Sequence, residues 1–396
     1  MNFPKGYRCC GFNCGIKKES ADLAIVVSDV PATAAAVYTT NLFQAAPLQV
    51  TKAHLDAGHT AQAIVINSGV ANAAMGKQGL NDAEAVAKAL AAHFDIAESS
   101  TIVASTGVIG MPLPVDKITA GIAGADAHLK PLAENADATA QAIMTTDTVS
   151  KQAAASVVIG GKTVHFWGMC KGAGMIHPNM STMLGFVLSD AAIDAELLQQ
   201  ALSAAIGDSF NMISVDGDTS TNDMVTVLAN GLAENPVIVD DGSQAFADFQ
   251  AALKDICIQL AKKIVSDGEG ATKLFEVQVA NAPSTNDAKI IARAVTSSSL
   301  VKAAMYGRDA NWGRIACAAG YSGAAFKPET MDIFIGDIQV AKDGQGLAFD
   351  EEAALALLSE HDILVKIDLH DGDGAAVAWG CDLTHDYVSI NADYRS

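Results

Sequence analysis

The sequence predicts an α/β protein in which sheets and helices share a large core, and three observations carry that reading. Apolar residues recur every third or fourth position in some stretches and as short continuous or alternating runs in others, so helices and strands are both encoded. Glycine pairs and Asp-Gly stretches separate several of the short runs in the manner of hairpin turns. Half of the 396 residues are apolar, enough for one large domain or two interlocked ones. No proline-rich tract, low-complexity linker or fixed-period repeat marks a boundary.

In chain order, β-like runs at 23–27 and 63–66 come first. Asn81 and Glu84 then have capping-box spacing ahead of an apolar stripe through Val86, Leu90 and Phe94, which predicts a helix. A strand follows at 101–104. The runs 156–159 and 163–167 flank Gly160-Gly161 and predict a hairpin; further strands are expected at 184–188 and 225–228. Asp194 is placed to cap a helix that Gly207 ends, and a third helix carries Phe246, Phe249, Leu253, Ile256, Leu260 and Ile264 on one face. The remaining runs are 275–279 and a second expected hairpin, 364–369 with 375–379.

Charge and cysteine content narrow the functional classes. Lys and Arg total 25 against 45 Asp and Glu, a formal charge of −20 that repels nucleic acid and anionic membrane. Seven cysteines without paired CxxC sets, together with nine scattered histidines, offer no metal site and fit a reduced, cytoplasmic protein with no metal cofactor. No apolar leader and no run of about 18 apolar residues appears. Gly161-Lys162-Thr163 lacks the earlier glycine of a phosphate loop, Gly320–Gly323 departs from a nucleophile elbow, and the Asp216, Asp218, Ser220 alternation lacks the glycine and closing glutamate of a calcium loop.

Residues 171–185, KGAGMIHPNMSTMLG, stand apart. Two glycines and a proline set a particular backbone path before a hydroxyl pair, Ser181 and Thr182, at the mouth of a buried strand. On spacing alone, a loop closed by two small polar residues is the simpler account.

The segment resembles the self-cleavage region of the ornithine acetyltransferase (glutamate N-acetyltransferase) family, and the resemblance extends through blocks at 14–18, 28–34, 67–69, 104–110, 145–148, 215–223, 267–273, 311–314 and 390–396. It implies an ArgJ/DmpA-like N-terminal-nucleophile fold of layered β-sheets covered by helices. It further implies a cut between Ser181 and Thr182, giving an α part of 1–181 and a β part of 182–396 paired as α2β2. Thr182 would then hold both a hydroxyl nucleophile and, in its α-amine, a base titrating near about 7.7–8.0. Thr106 and Gly107 correspond to the oxyanion hole, in a turn expected after the strand at 101–104. Thr148, Lys171, Thr182, Glu269, Asn391 and Ser396 correspond to substrate-binding positions, with Thr145 and Thr146 as alternatives to Thr148. Lys171 can meet a carboxylate and Glu269 an ammonium.

The activity implied is acetyl transfer from N2-acetyl-L-ornithine to L-glutamate in arginine biosynthesis, with no cofactor and with acetyl-CoA as an additional donor in some members. Ser181 stands where alanine is usual and adds a second hydroxyl, so the cut is placed before Thr182 while a cut before Ser181 stays open; Ser396 replaces the usual threonine and keeps its hydroxyl. Ala310 replaces a common proline, and His177 occupies a variable position and receives no base role. A related hydrolase or aminopeptidase, and an uncleaved binding homologue, are the competing readings.

Overall fold

The computed structural model describes residues 2–177 and 183–393. The first part of the chain alternates strands and helices: β1 (Tyr7–Phe12), β2 (Leu23–Tyr38), α1 (Ala46–Gly58), β3 (Thr60–Val70), α2 (Gly76–Phe94), β4 (Thr101–Val108), α3 (Val115–Ala123), β5 (Lys130–Pro131) and α4 (Leu132–Ala142). The hairpin of β6 (Lys151–Ile159) and β7 (Lys162–Lys171) turns at Gly160-Gly161 as the sequence predicts. Then come β8 (Leu184–Ser189), α5 (Ala195–Gly207), β9 (Ile213–Ser214), β10 (Met224–Ala229), α6 (Gln244–Ser266) and β11 (Leu274–Ala282). The last third holds α7 (Thr285–Ser297), α8 (Ser299–Gly307), α9 (Trp312–Gly320), β12 (Asp332–Ile335), β13 (Ile338–Lys342), β14 (Gln345–Gly346), α10 (Glu351–Leu357), β15 (Asp362–Asp368), β16 (Gly374–Cys381) and α11 (His385–Asp393).

Among the described residues the strands form two sheets. The larger runs β4-β3-β2-β10-β8-β7-β6, with β1 and β5 added beside β2; the smaller runs β14-β13-β12-β15-β11-β16-β9. One core holds α5, α6 and α7 together with facing residues of both sheets, among them Phe166, Val187 and Val225 from the first and Val277, Val365 and Ala378 from the second. Helices therefore fill the space between sheets, and α1 to α3 and α4 cover the rest of the larger sheet through two further cores. Because both faces of that sheet are covered, β8 and β10 are buried along their whole length and read as continuous apolar runs.

Three local expectations need revision. Helix α2 starts at Gly76, five residues before Asn81, with no side-chain cap, so the capping spacing at Asn81 marks the start of the apolar stripe and not of the helix; Asn72 Nδ2 donates to Gly79 O (2.9 Å) in the first turn. Thr106 and Gly107 lie within β4 itself, paired with β3, and not in a turn beyond it. The runs expected as the second hairpin, β15 and β16, are not partners: β11 lies between them, parallel to β15 and antiparallel to β16. The Asp-Gly-rich connection passes over the end of β11, where Leu369 N donates to Ala280 O (3.1 Å) and Asp371 N to Asn281 O (2.8 Å).

That crossing is tight. A Cβ on Gly372 would lie 2.3 Å from the Ala282 carbonyl oxygen. Gly372→Ala is expected to cost about 1–3 kcal/mol, read as a lower denaturant midpoint at unchanged slope.

Candidate active site

A cavity of about 250 Å³ opens where β7 ends, where the parallel strands β8 and β10 begin, and where β4 finishes, closed on its outer side by the loop after α6 and by α11. Of the residues singled out from the sequence, Thr106, Gly107, Lys171, Glu269 and Asn391 all line it. Ser181, Thr182 and Ser396 fall outside the described residues, but Ile176 and Met183, on either side of the first two, both border the cavity. Thr145 and Thr146 line it as well. Thr148 does not; its backbone N–H (3.0 Å) and its hydroxyl are both given to Asp267.

Close backbone approach explains the glycines here. Gly107 has φ +130° and faces Gly69 across β3 and β4, where a Cβ would come within 2.3 Å of the Gly69 carbonyl carbon. Gly174 leaves room for a carboxylate: a Cβ there would lie 2.4 Å from Glu269 Cδ. Glu269 is held from both sides, its N–H donating to Ala173 O (2.9 Å) and its Oε2 accepting from Asn391 Nδ2 (2.8 Å). Asn222 Nδ2 donates to Ala71 O (2.6 Å) and Ser105 O (2.8 Å), which ties the start of β10 to the strand that carries Thr106.

Residues 215–219 hold the chain just ahead of Pro178. Asp216 accepts from the N–H groups of Met175 (2.6 Å) and Ile176 (2.9 Å), and Thr219 Oγ1 donates to His177 O (2.9 Å). Met175 itself sits at φ +57°, a sparsely populated conformation for a non-glycine residue. His177 pairs with Ser214 Oγ (3.1 Å) and is absent from the cavity wall; burial, with Arg293 nearby, lowers its pKa.

The electrostatic anchor is Lys151, fully buried at the start of β6. Its ammonium donates to Asp147 Oδ1 (2.6 Å) and Asp267 Oδ2 (2.5 Å). Asp147 also accepts from Gly172 N (2.7 Å) and Thr145 N (3.0 Å). Burial alone would raise the Asp147 carboxyl, yet Lys171 and Lys151 outweigh it and hold the group at about 2. Asp223 is the opposite case. Burial raises it well above the ordinary carboxylate value, only partly offset by Ser220 and by the charge of Lys171.

Asp147, Lys151, Asp216, Asn222, Asp223 and Asp267 received no role from the sequence. The signals available were the i,i+4 spacing of Asp147 and Lys151, a lysine opening a strand with no other charge, and the polar density of 215–223. None of these says what each residue meets.

The family model of the ArgJ family matches residues 8–396. An arginine biosynthesis bifunctional protein ArgJ from Symbiobacterium thermophilum is 53% identical over 396 residues, covering 99% of this chain and 98% of that protein. One of the same description from Halalkalibacterium halodurans is 50% identical over 395 residues, with 99% and 95% covered. A crystal structure of arginine biosynthesis bifunctional protein argJ from Bacillus halodurans is similar at a TM-score of 0.52 and 52% identity, over 54% of this chain and 100% of that one.

Removing the buried ammonium strands two carboxylates, so Lys151→Met is expected to lose about 3–5 kcal/mol of unfolding free energy. Because Asp147 titrates lower folded than unfolded, its contribution is complete above about pH 4 and is lost as pH falls toward about 2. Asp147→Asn is therefore expected to be less stable than the wild type at neutral pH, the gap narrowing across that acid range in paired denaturant titrations.

Proposed function

The chain belongs to the ArgJ family, and we propose that it moves the acetyl group of N2-acetyl-L-ornithine to L-glutamate through an acetyl ester on Thr182, after cutting itself between Ser181 and Thr182. It is an acyltransferase of arginine biosynthesis. The observation that carries the finer reading is the convergence, on one cavity, of a cation (Lys171), a carboxylate (Glu269), the Thr106–Gly107 pair and both described flanks of the Ser181-Thr182 segment.

In this scheme the α-amine of Thr182 takes the hydroxyl proton while Oγ attacks the acetyl carbon of acetylornithine, and Thr106 and Gly107 supply donors to the oxyanion. The amine nitrogen of ornithine takes that proton and leaves, and the acetyl group stays as an ester. The amine of glutamate then attacks the ester, regenerating the Thr182 hydroxyl and forming the new amide. One amide replaces another, so the exchange is near balance and needs no ATP. Lys171 meets the substrate carboxylate, Glu269 the side-chain ammonium of ornithine, and Asn391 steadies Glu269.

Sheet order supports a self-cut enzyme that stays whole. β8 and β10 follow the proposed cut yet lie between β7 and β2, which precede it, so the α part (1–181) and β part (182–396) share continuous ladders. The 215 residues from Thr182 to Ser396 are 54% of 396, the share that the fully matched Bacillus halodurans chain covers. We extend the proposal to an α2β2 assembly acting in the cytoplasm. A thioester donor such as acetyl-CoA would acylate the same Thr182.

Intact mass under denaturing conditions is expected to show two fragments, the second beginning at Thr182, which co-migrate as one body under native conditions; Thr182→Ala is expected to give one uncut chain without transfer. Isotope-labelled acetylornithine with glutamate is expected to yield labelled acetylglutamate in a ping-pong pattern. Acetate release exceeding transfer would make the protein a hydrolase, and an uncut wild type that binds without turnover would make it a binding homologue. Glu269→Gln is expected to raise KM for acetylornithine about ten- to hundredfold with a smaller effect on kcat.

A further inference from the structure

The buried carboxylates of this protein are otherwise well supplied with donors. Asp22 accepts from three backbone N–H groups (Cys14, Ile16 and Lys17, each 2.7 Å), Asp382 from Thr272 N, Thr272 Oγ1 and Lys273 N, and Asp147 from Lys151 and two N–H groups. Asp223 is the exception. It is 2% exposed, it lines the cavity, and its Oδ2 has no hydrogen-bond partner. Position adds to this. Lys171, Leu184 and Met224 stand level across β7, β8 and β10, and Met224 N donates to Met183 O (2.9 Å). Asp223 is thus one step nearer than Lys171's row to the residue that follows Thr182 in the chain.

An ionised carboxylate with a bare, dry oxygen is costly, and protonation removes that cost. The acid form then carries an O–H donor that itself needs an acceptor. Among the described residues the titratable side chains on the cavity wall are Lys171 from β7, Glu269 from the loop after α6, and Asp223; β4 and α11 contribute the uncharged Thr106, Gly107 and Asn391. Ser220 meets Asp223 on one side and Glu269 is engaged by Asn391, while Oδ2 of Asp223, without a partner, is free to act toward whatever occupies the cavity.

We propose that Asp223 is kept in its acid form and donates its proton as a hydrogen bond to the oxygen of the reacting acyl group, a third donor beside Thr106 and Gly107. An enclosed site can hold a carboxylic acid neutral at pH 7 for this purpose. The inference rests on the acetyl-transfer reading.

Its test uses the full-length protein and two variants. Asp223→Asn, which keeps a neutral donor, is expected to stay within about tenfold of wild-type kcat, whereas Asp223→Ala is expected to lose about 10²–10³-fold in kcat with little change in KM. The wild-type rate is expected to fall on the alkaline side as Asp223 ionises, and Asp223→Asn to lack that limb. Infrared difference spectra of unliganded protein are expected to show a carboxylic-acid carbonyl band at neutral pH, absent in Asp223→Asn and shifted when N-acetylornithine is added. No acid band, a band indifferent to acetylornithine, or Asp223→Asn as slow as Asp223→Ala would overturn the proposal. If the wild type transfers no acetyl group, the acetyl-transfer reading fails, while the band still decides whether Asp223 is protonated.

Discussion

One ammonium sealed from water organises the site. Burying a lysine costs several kcal/mol unless carboxylates meet it with good geometry, and Lys151 is met by two. Those carboxylates belong to segments far apart in sequence. Asp147 lies in the loop that brings Thr145 and Thr146 to the cavity, and its acceptance from Gly172 N fixes the strand end that carries Lys171. Asp267 caps the end of α6, two residues before Glu269, and binds Thr148 on its other side. A cation that never touches the cavity therefore sets the relative placement of three of its walls, and none can shift without exposing unpaired charge in a dry interior.

The same economy of placement governs the chain as a whole. Strands from both sides of the Ser181-Thr182 bond are laced into one sheet, with β10 and β8 inserted between β2 and β7. Breaking one peptide bond in that setting removes none of the ladder hydrogen bonds on either flank. The clamp from Asp216 and Thr219 onto Met175, Ile176 and His177 comes from the far side of that bond, so the chain ahead of it is anchored by residues beyond it. A new terminus could form there without the fold depending on the intact backbone.

Elements with a local cause were legible in the sequence. Asp194 accepts from Glu196 N and Leu197 N as an N-cap should, the α6 stripe is buried as its spacing implies, and Gly160-Gly161 turns a real hairpin. Where the cause is distant, the local signal misled. β15 and β16 have the composition of hairpin partners, but a strand from 80 residues earlier takes the place between them, and only the glycines that crowd against Ala282 and Ser284 record it. The site divides the same way. Thr106, Gly107, Lys171, Glu269 and Asn391 could be named because a family pattern marks them, while Lys151 and Asp267, 116 residues apart, could not be joined by any spacing rule.

Charge inside the cavity is more nearly balanced than the chain outside it. The protein carries a formal −20, yet among the described residues the cavity wall sets one ammonium against one carboxylate if Asp223 is neutral, and against two if it is not. N-acetylornithine, with one carboxylate and one side-chain ammonium, matches the first arrangement, since each of its charges finds one opposite partner. An ionised Asp223 would compete with the substrate carboxylate for Lys171 and draw that cation out of use. The buried oxygen without a partner and the charge balance opposite Lys171 thus favour the same proposed protonation state, and both trace to burial of Asp223 that Ser220 and Lys171 only partly offset.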